Sequence, residues 1–168
     1  MRTLHLLRHG KSRRDVDADD RDRPLAPRGK RAATALGVYL AQERLVPDLV
    51  LCSSARRALE TWERVAAQLP HPPRLRREDA LYMASPDALL ARVREVDDTV
   101  RSVLLVGHNP GLLELAASLA SPDADSVRRI GKFPTAALAS FALARGGWRA
   151  LAPGRTTLVR FVRPADLV

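Results

Sequence analysis

Short apolar runs that each end in a polar loop recur along the first two thirds of the chain. Three of them predict buried strands, at 3–7, 49–52 and 102–106. Apolar positions at helical spacing predict helices over 27–43, 55–69, 86–93 and 112–119. Strands that alternate with helices indicate a parallel sheet that is covered on both faces. We therefore predict an α/β fold, with one three-layer α/β/α domain over 1–168 and a mostly parallel central sheet.

The last third of the chain has a different pattern. Alternating and aromatic-rich segments predict three more strands, at 137–143, 148–151 and 156–162.

A weaker strand is predicted near 74–77. Two polar segments without apolar periodicity, 11–24 and 121–132, are predicted to be long loops.

The composition is typical of an ordinary globular protein, with 46% hydrophobic and 28% charged residues. No apolar run has the roughly 18 residues that a membrane helix needs. The first apolar run is interrupted at Arg8, so no signal peptide is expected. Cys52 is the single cysteine and cannot form an internal disulfide, which favours a reducing cytoplasm. Nothing in the sequence requires an obligate partner, and we expect a monomer.

The net charge of +9 has two interpretations. Only 3 of the 28 basic residues are lysines, and the chain is rich in Ala and Pro, which favours a GC-rich coding bias together with a local anion site. A nucleic-acid partner is not predicted, because aromatic residues make up 4% of the chain and no basic cluster alternates with them for base stacking. A phosphorylated substrate would benefit from the charge in either case.

Three predicted strands end in residues that carry chemistry. The segments are Arg8-His9-Gly10, Ser53-Ser54 followed by Arg56-Arg57, and Gly107-His108-Asn109-Pro110. Ligands of open α/β sheets bind outside the carboxyl ends of the strands. If the three strands are neighbours, two imidazoles and at least two guanidiniums converge there. Such a set suits phosphoryl transfer, which depends on positioning and on stabilising the charge of the phosphoryl oxygens.

The same segments resemble the histidine phosphatase superfamily, whose fold is phosphoglycerate mutase-like. Arg8-His9-Gly10 is similar to its signature, and residues 25–29 and 53–61 are similar to its next two motifs, with Ala26 and Ser54 departing from the usual residues. The segment 107–109 resembles the part that carries the second histidine. The short chain, Asp22-Arg23-Pro24-Leu25, residues 61–63 and residues 132–135 resemble the SixA-type phosphohistidine phosphatases.

The resemblance implies a role for each residue of the site. His9 attacks phosphorus and becomes a phosphohistidine, which water then hydrolyses. Arg8, Arg57 and His108 hold the phosphoryl oxygens, and the register of the motif selects Arg57 over Arg56. Ser12 and Asn109 are further candidates for phosphate contacts. No metal or other cofactor is expected, and the four histidines show no metal-ligand spacing.

A general acid is harder to place. Glu78 and Asp79 are the nearest candidates between Arg57 and His108, although a solvated pair in an arginine-rich segment is the preferred interpretation. General acid catalysis is typically worth about 10²–10⁴-fold. An alkoxide leaving group needs that help more than a phosphorylated imidazole does. The weak acid therefore favours protein phosphohistidine as the substrate, as does a chain too short to cover the pocket.

The sequence argues against two further interpretations and leaves two others open. The aspartates between 15 and 22 alternate with arginines, which indicates a solvated and internally paired loop rather than a metal site. A cysteine phosphatase needs Arg six positions after its nucleophile, and the residue six positions after Cys52 is Ala58. A small-molecule phosphatase of the same superfamily and a phospho-ligand-binding module without turnover remain as alternatives.

Overall fold

A computed structural model describes residues 1–167, and Val168 of the predicted domain lies outside the described residues. The strands are β1 (Thr3–Arg8), β2 (Leu49–Ser53), β3 (Arg74–Glu78), β4 (Ser102–Gly107), β5 (Leu138–Leu143) and β6 (Thr156–Val162). The helices are α1 (Pro27–Gln42), α2 (Arg56–Ala66), α3 (Pro86–Arg94), α4 (Gly111–Ala120) and α5 (Ala124–Ile130). None of the helices within 1–167 has both the length and the apolar character that crossing a bilayer requires.

The six strands form one sheet in the order β3-β2-β4-β1-β5-β6. The first four strands of that order are mutually parallel, whereas β5 is antiparallel to both of its neighbours. The predicted α/β class with a mostly parallel sheet is therefore confirmed. Strands β2, β4 and β1 are consecutive neighbours, so their carboxyl ends lie side by side at one edge of the sheet.

Each face of the sheet is covered by a separate apolar cluster, which completes the three layers. Successive residues of β2 alternate between them: Leu51 belongs to the cluster under α3, α4 and α5, while Val50 and Cys52 belong to the cluster under α1 and α2. All three side chains are completely buried. This alternation follows from the two-residue period of a strand. The polar residues of β2 come only at its carboxyl end, at Ser53.

Helix α1 packs against the loop after β1 through two glycines. A Cβ atom placed on Gly29 would lie 2.2 Å from the carbonyl oxygen of Lys11, and one placed on Gly10 would lie 3.0 Å from the carbonyl oxygen of Gly29. Pro27 occupies the first turn of the helix, where its missing N–H costs no hydrogen bond. The close contact between backbones holds the loop that follows His9 in a fixed position.

Two predictions in the last third are wrong. The segment 121–132 is not only a loop, because it contains α5, whose first turn is capped when the Asp123 carboxylate accepts the N–H of Asp125 at 3.1 Å. Residues 148–151 are not a strand, since Trp148–Ala150 form a short 3-10 turn. The Trp148 ring is fully buried and its indole N–H donates to the carbonyl of Val100 at 2.9 Å. Tertiary packing of that ring overrides its strand propensity.

We expect Gly29→Ala to lower the free energy of unfolding by about 1–3 kcal/mol, because the added methyl group must push the Lys11 backbone away. Denaturant titration measures the change. Val38→Ala, at an exposed position of the same helix, is the control and should stay within about 0.5 kcal/mol of wild type. Equal stabilities for the two variants would show that the glycine contact is not tight.

Candidate active site

The ends of β1, β2 and β4 bring His9, Arg57 and His108 into contact. Arg57 Nε lies 3.4 Å from His9 Nε2, and Arg57 Nη2 lies 3.4 Å from His108 Nδ1. The two imidazole rings have their centroids 5.1 Å apart. The groups surround a cavity of about 240 Å³. It is lined by Arg8, His9, Lys11, Ser12, Arg14, Asp20, Arg23, Arg57, Met83, His108, Asn109 and Thr135.

The His9 ring is held with one nitrogen toward the cavity. Its Nδ1–H donates to the carbonyl oxygen of Gly10 at 2.8 Å, because a carbonyl can only accept. Nε2 therefore carries the lone pair and accepts from Arg57. Burial is the main cause that lowers the pKa of His9 to about 4; the hydrogen bond to the Gly10 carbonyl opposes it, and the nearby charges of Arg57 and Arg8 contribute to the lowering. The ring is neutral at neutral pH and can act as a nucleophile.

Arg57 reaches the cavity because it lies on the buried face of α2. Its side chain is 3% exposed, whereas that of Arg56 is 56% exposed and pairs with Glu60. The buried positions of the helix follow helical spacing from Arg57 to Val65. Thr61 fixes the helix to the first loop, since its Oγ1 accepts the Gly10 N–H at 2.9 Å and donates to the Arg57 carbonyl at 2.7 Å. The structure places Arg57, the arginine that sequence reasoning selected, at the cavity and Arg56 outside its lining; sequence reasoning gave Thr61 no role.

His108 is oriented by Ser53 from the neighbouring strand. Ser53 Oγ lies 2.7 Å from His108 Nε2, and Arg57 donates toward Nδ1 on the other side of the ring. The neutral ring therefore carries its proton on Nε2 and donates it to Ser53. Tyr82 packs edge-on against the ring at a centroid distance of 5.4 Å. Burial, followed by the effect of His9 and Arg57, lowers the pKa of His108 to about 3.

Arg8 and Asn109 share one support in the segment 132–136. Arg8 Nη1 donates to the carbonyl oxygen of Phe133 at 3.2 Å, and Asn109 Nδ2 donates to the same oxygen at 3.1 Å. Phe133 and Ala136 have positive φ angles of 50° and 61°, which turn this backbone toward the cavity. Two buried atoms, Arg8 Nε and Asn109 Oδ1, have no hydrogen-bond partner among the described residues. Arg8 Nε–H is therefore available to donate to a bound anion, whereas Asn109 Oδ1 can only accept.

The remaining predicted residues differ in their placement. Ser12 lines the cavity, and its Oγ accepts from Arg23 Nη1 at 2.7 Å. Glu78 and Asp79 are absent from the lining. Glu78 accepts two hydrogen bonds from Arg92, at 2.7 and 2.8 Å, and exposed Asp79 lies 3.6 Å from Arg21. These pairs between side chains account for their position outside the cavity.

Asp20 is a member of the site that sequence reasoning missed. The loop 11–24 is internally paired as predicted, for example between Arg13 and Asp15. Asp20, however, also reaches Arg57: its backbone carbonyl accepts from Nη1 at 2.6 Å and its Oδ2 accepts from Nη2 at 3.0 Å. Tyr82 OH also donates to this carboxylate. The neighbouring segment 22–25 carried the resemblance to the SixA-type branch, and that is the signal that could have pointed here.

No group of three or more His, Cys, Asp or Glu side chains within 1–167 is arranged to hold a metal ion. The charged groups that line the cavity are five basic side chains and the carboxylate of Asp20. Two imidazoles complete the set. An anion with several oxygen acceptors, such as a phosphoryl group, matches this distribution of donors.

Comparison with known proteins decides the family. The family profile of the histidine phosphatase superfamily (branch 1) matches residues 4–82. The structure assigned as a phosphohistidine phosphatase SixA from Nakamurella multipartitia has 32% sequence identity and a TM-score of 0.82, with 97% of this chain and 96% of that chain covered. The chain belongs to the histidine phosphatase superfamily. It is a histidine-dependent phosphatase of the SixA-type branch, as the motifs predicted.

Two further relatives of this histidine phosphatase cover nearly its whole length. The structure of the protein histidine phosphatase SixA complexed with tungstate has 25% identity and a TM-score of 0.82, over 99% of both chains. An uncharacterised protein of Mycobacterium tuberculosis is 38% identical over 162 residues, which is 94% of this chain and 99% of the relative. The likeness therefore includes the segment 132–136 and the second histidine, which lie beyond the part matched by the family profile.

The buried histidines predict that this phosphatase loses stability in mild acid. His5 and His9 have pKa values of about 4 and His108 of about 3, all below the usual 6.5. Between pH 6.5 and 4 the unfolded chain therefore binds more protons, so the free energy of unfolding falls as the pH falls. From about pH 7.5 to about pH 5 we expect a loss on the order of 2 kcal/mol per histidine.

Urea unfolding at the two pH values measures this loss. His9→Asn removes one of the three contributions and should reduce the pH dependence, whereas His71→Asn at an exposed position serves as the control. An unchanged pH dependence in His9→Asn would mean that His9 is not held neutral by its burial.

Proposed function

We propose that this phosphatase removes phosphoryl groups from protein phosphohistidine through a covalent intermediate on His9. The observation that supports the proposal most directly is the contact of the buried Arg57 guanidinium with His9 Nε2 and His108 Nδ1 at once. A phosphoryl group that is bound by Arg57 would lie against the lone pair of His9. Arg8, supported by the segment 132–136, would bind further oxygens through its unpaired Nε–H.

In the first step, His9 Nε2 attacks phosphorus. A bond between Nε2 and phosphorus forms, the bond between phosphorus and the substrate imidazole breaks, and the released imidazole takes a proton from solvent. The hydrogen bond to the Gly10 carbonyl stabilises the positive charge that develops on the His9 ring. The guanidiniums of Arg8 and Arg57 stabilise the charge on the phosphoryl oxygens.

In the second step, water attacks phosphorus and the bond to His9 Nε2 breaks, so that inorganic phosphate leaves and the ring is neutral again. His108 contributes to both steps as a donor. When a phosphoryl dianion is bound, its charge favours the protonated ring, and Nδ1–H then donates to an oxygen while Nε2–H stays on Ser53. Because the pKa of His108 is low without such a charge nearby, this proton uptake depends on the dianion.

The lack of a suitable acid supports phosphohistidine over phosphate esters. Asp20 carries the one carboxylate among the described side chains that line the cavity. The hydrogen bond from Tyr82 holds its pKa well below the usual range, with further contributions from Arg23 and Arg57, so it is a poor proton donor. A leaving imidazole needs less protonation than an alkoxide. Two of the similar structures are described as phosphohistidine or protein histidine phosphatases, which agrees with this substrate class.

His9→Ala is expected to abolish turnover, because no other described side chain of the cavity offers an uncharged nitrogen toward Arg57 Nε. Release of inorganic phosphate from a histidine-phosphorylated protein measures the rate. Wild-type protein that is quenched with alkali during turnover should carry an acid-labile phosphoryl label, and the variant should carry none. Turnover by the variant would eliminate the covalent mechanism.

Arg57→Ala is expected to lower kcat/KM by at least the roughly 10²–10³-fold that is typical of losing one preorganised donor. Arg56→Ala is the matched control, since the neighbouring guanidinium is exposed and pairs only with Glu60. Its loss should stay below about threefold. Equal losses in the two variants would show that the wrong arginine has been placed in the site.

Hydrolysis rates for a phosphohistidine protein and for a panel of phosphate esters test the substrate class. We expect the highest kcat/KM for the phosphohistidine protein. Glu78→Gln and Asp79→Asn should each change that value less than about threefold, because neither carboxylate lines the cavity. A higher value for a small ester, or a large loss in either variant, would favour a phosphomonoesterase with a general acid.

A further inference from the structure

Four of the five N–H groups of the Arg57 guanidinium face acceptors of the protein itself. Its Nε donates to His9, its Nη1 to the backbone carbonyl of Asp20, and its Nη2 faces both the Asp20 carboxylate and His108. Because the Arg57 side chain is 3% exposed, it is held by its surroundings and cannot rotate away from these acceptors to reach a ligand. A phosphoryl group that binds Arg57 through two N–H groups must replace at least one of these acceptors.

Asp20 resembles a bound anion in its contacts. Its Oδ2 accepts from Arg57 Nη2 at 3.0 Å and from the Tyr82 hydroxyl. Its Oδ1 accepts from Arg23 Nη2 at 3.0 Å and from Arg23 Nε at 3.2 Å. Arg23 also donates to Ser12 on the opposite side. The carboxylate thus accepts from three side chains, two of which, Arg23 and Arg57, line the cavity where a phosphoryl group would bind.

The loop that carries Asp20 can release it at low cost. Residues Asp20–Asp22 form a single 3-10 turn with no buried residue and no side-chain cap. The Asp20 side chain is 51% exposed, so its ion pair is weaker than that of a buried carboxylate. A dianion carries more charge than a carboxylate, and the repulsion between the two at one guanidinium would drive Asp20 outward.

We propose that Asp20 is an internal competitor of the phosphoryl group for Arg57, and that it sets the affinity of the site by having to leave when substrate binds. The proposal rests on the proposed function, in which Arg57 binds the phosphoryl group. Release of Asp20 also frees Arg23, whose guanidinium can then contact the bound anion beside Ser12. Substrate binding is thereby coupled to movement of the loop 11–24.

Calorimetric titration with inorganic phosphate tests the competition without any turnover. Asp20→Asn keeps the shape of the side chain and removes its charge, so we expect its Kd for phosphate to be about three- to tenfold lower than that of wild type. Tyr82→Phe, which removes one hydrogen bond to the carboxylate and keeps the ring against His108, should change the Kd in the same direction by a smaller factor.

Asp22→Asn is the matched control. It makes the same change in net charge two residues away, at an exposed side chain outside the cavity lining, and should leave the Kd within about twofold of wild type. An equal decrease of the Kd in Asp20→Asn and Asp22→Asn would show that the effect comes from net charge alone, and would overturn the proposal. So would an unchanged or weaker affinity in Asp20→Asn, or a hundredfold loss of kcat at unchanged phosphate affinity, which would make Asp20 a catalytic group.

The two proposals fail differently. If phosphate binds more tightly to Asp20→Asn but no phosphohistidine protein is hydrolysed, the competition stands and the substrate class is wrong. If phosphate binds to wild type and Asp20→Asn with equal affinity while turnover is normal, only the competition is wrong. If neither protein binds phosphate, both proposals are overturned, because Arg57 is then not a phosphate ligand.

Discussion

The buried guanidinium of Arg57 between two imidazoles is the interaction on which the site depends. A cation that is 3% exposed needs acceptors around it, because its loss of hydration is costly. The structure supplies them from three parts of the chain: His9 Nε2, His108 Nδ1 and Asp20. Burial lowers the pKa of both imidazoles and the same cation lowers it further, so the rings stay neutral beside it. The proposed nucleophile and the proposed anion site therefore share one buried cation.

The scaffold holds these groups by short contacts close to the ends of the strands. Parallel pairing of β1 with β4 and of β4 with β2 sets His9, His108 and Ser53 at one edge of the sheet. Thr61 then joins α2 to the loop after β1, and the glycine contact at Gly29 presses α1 against the same loop. Helices from one face of the sheet therefore fix the position of His9.

Features that depend on periodicity could be predicted from the sequence. The strand ends, the parallel sheet and the preference for Arg57 over Arg56 all follow from spacing, motif register and the apolar face of a helix. Features that depend on the conformation of loops could not. Asp20, in the loop 11–24, meets Arg57, which is 37 positions away, and Glu78 is withdrawn from the site by Arg92, 14 positions away. The short helix α5 was missed because only Ser126 and Ile130 are buried in it, too few to show a period.

The carbonyl oxygen of Phe133 accepts from both Arg8 and Asn109. Two side chains from different strand ends therefore share a single acceptor, and neither can shift without changing the geometry of the other. Substitutions at Arg8 and Asn109 should for that reason be non-additive, with a coupling energy that vanishes when the backbone at 132–136 is altered. A backbone segment outside the sheet would then couple two side chains that line the cavity.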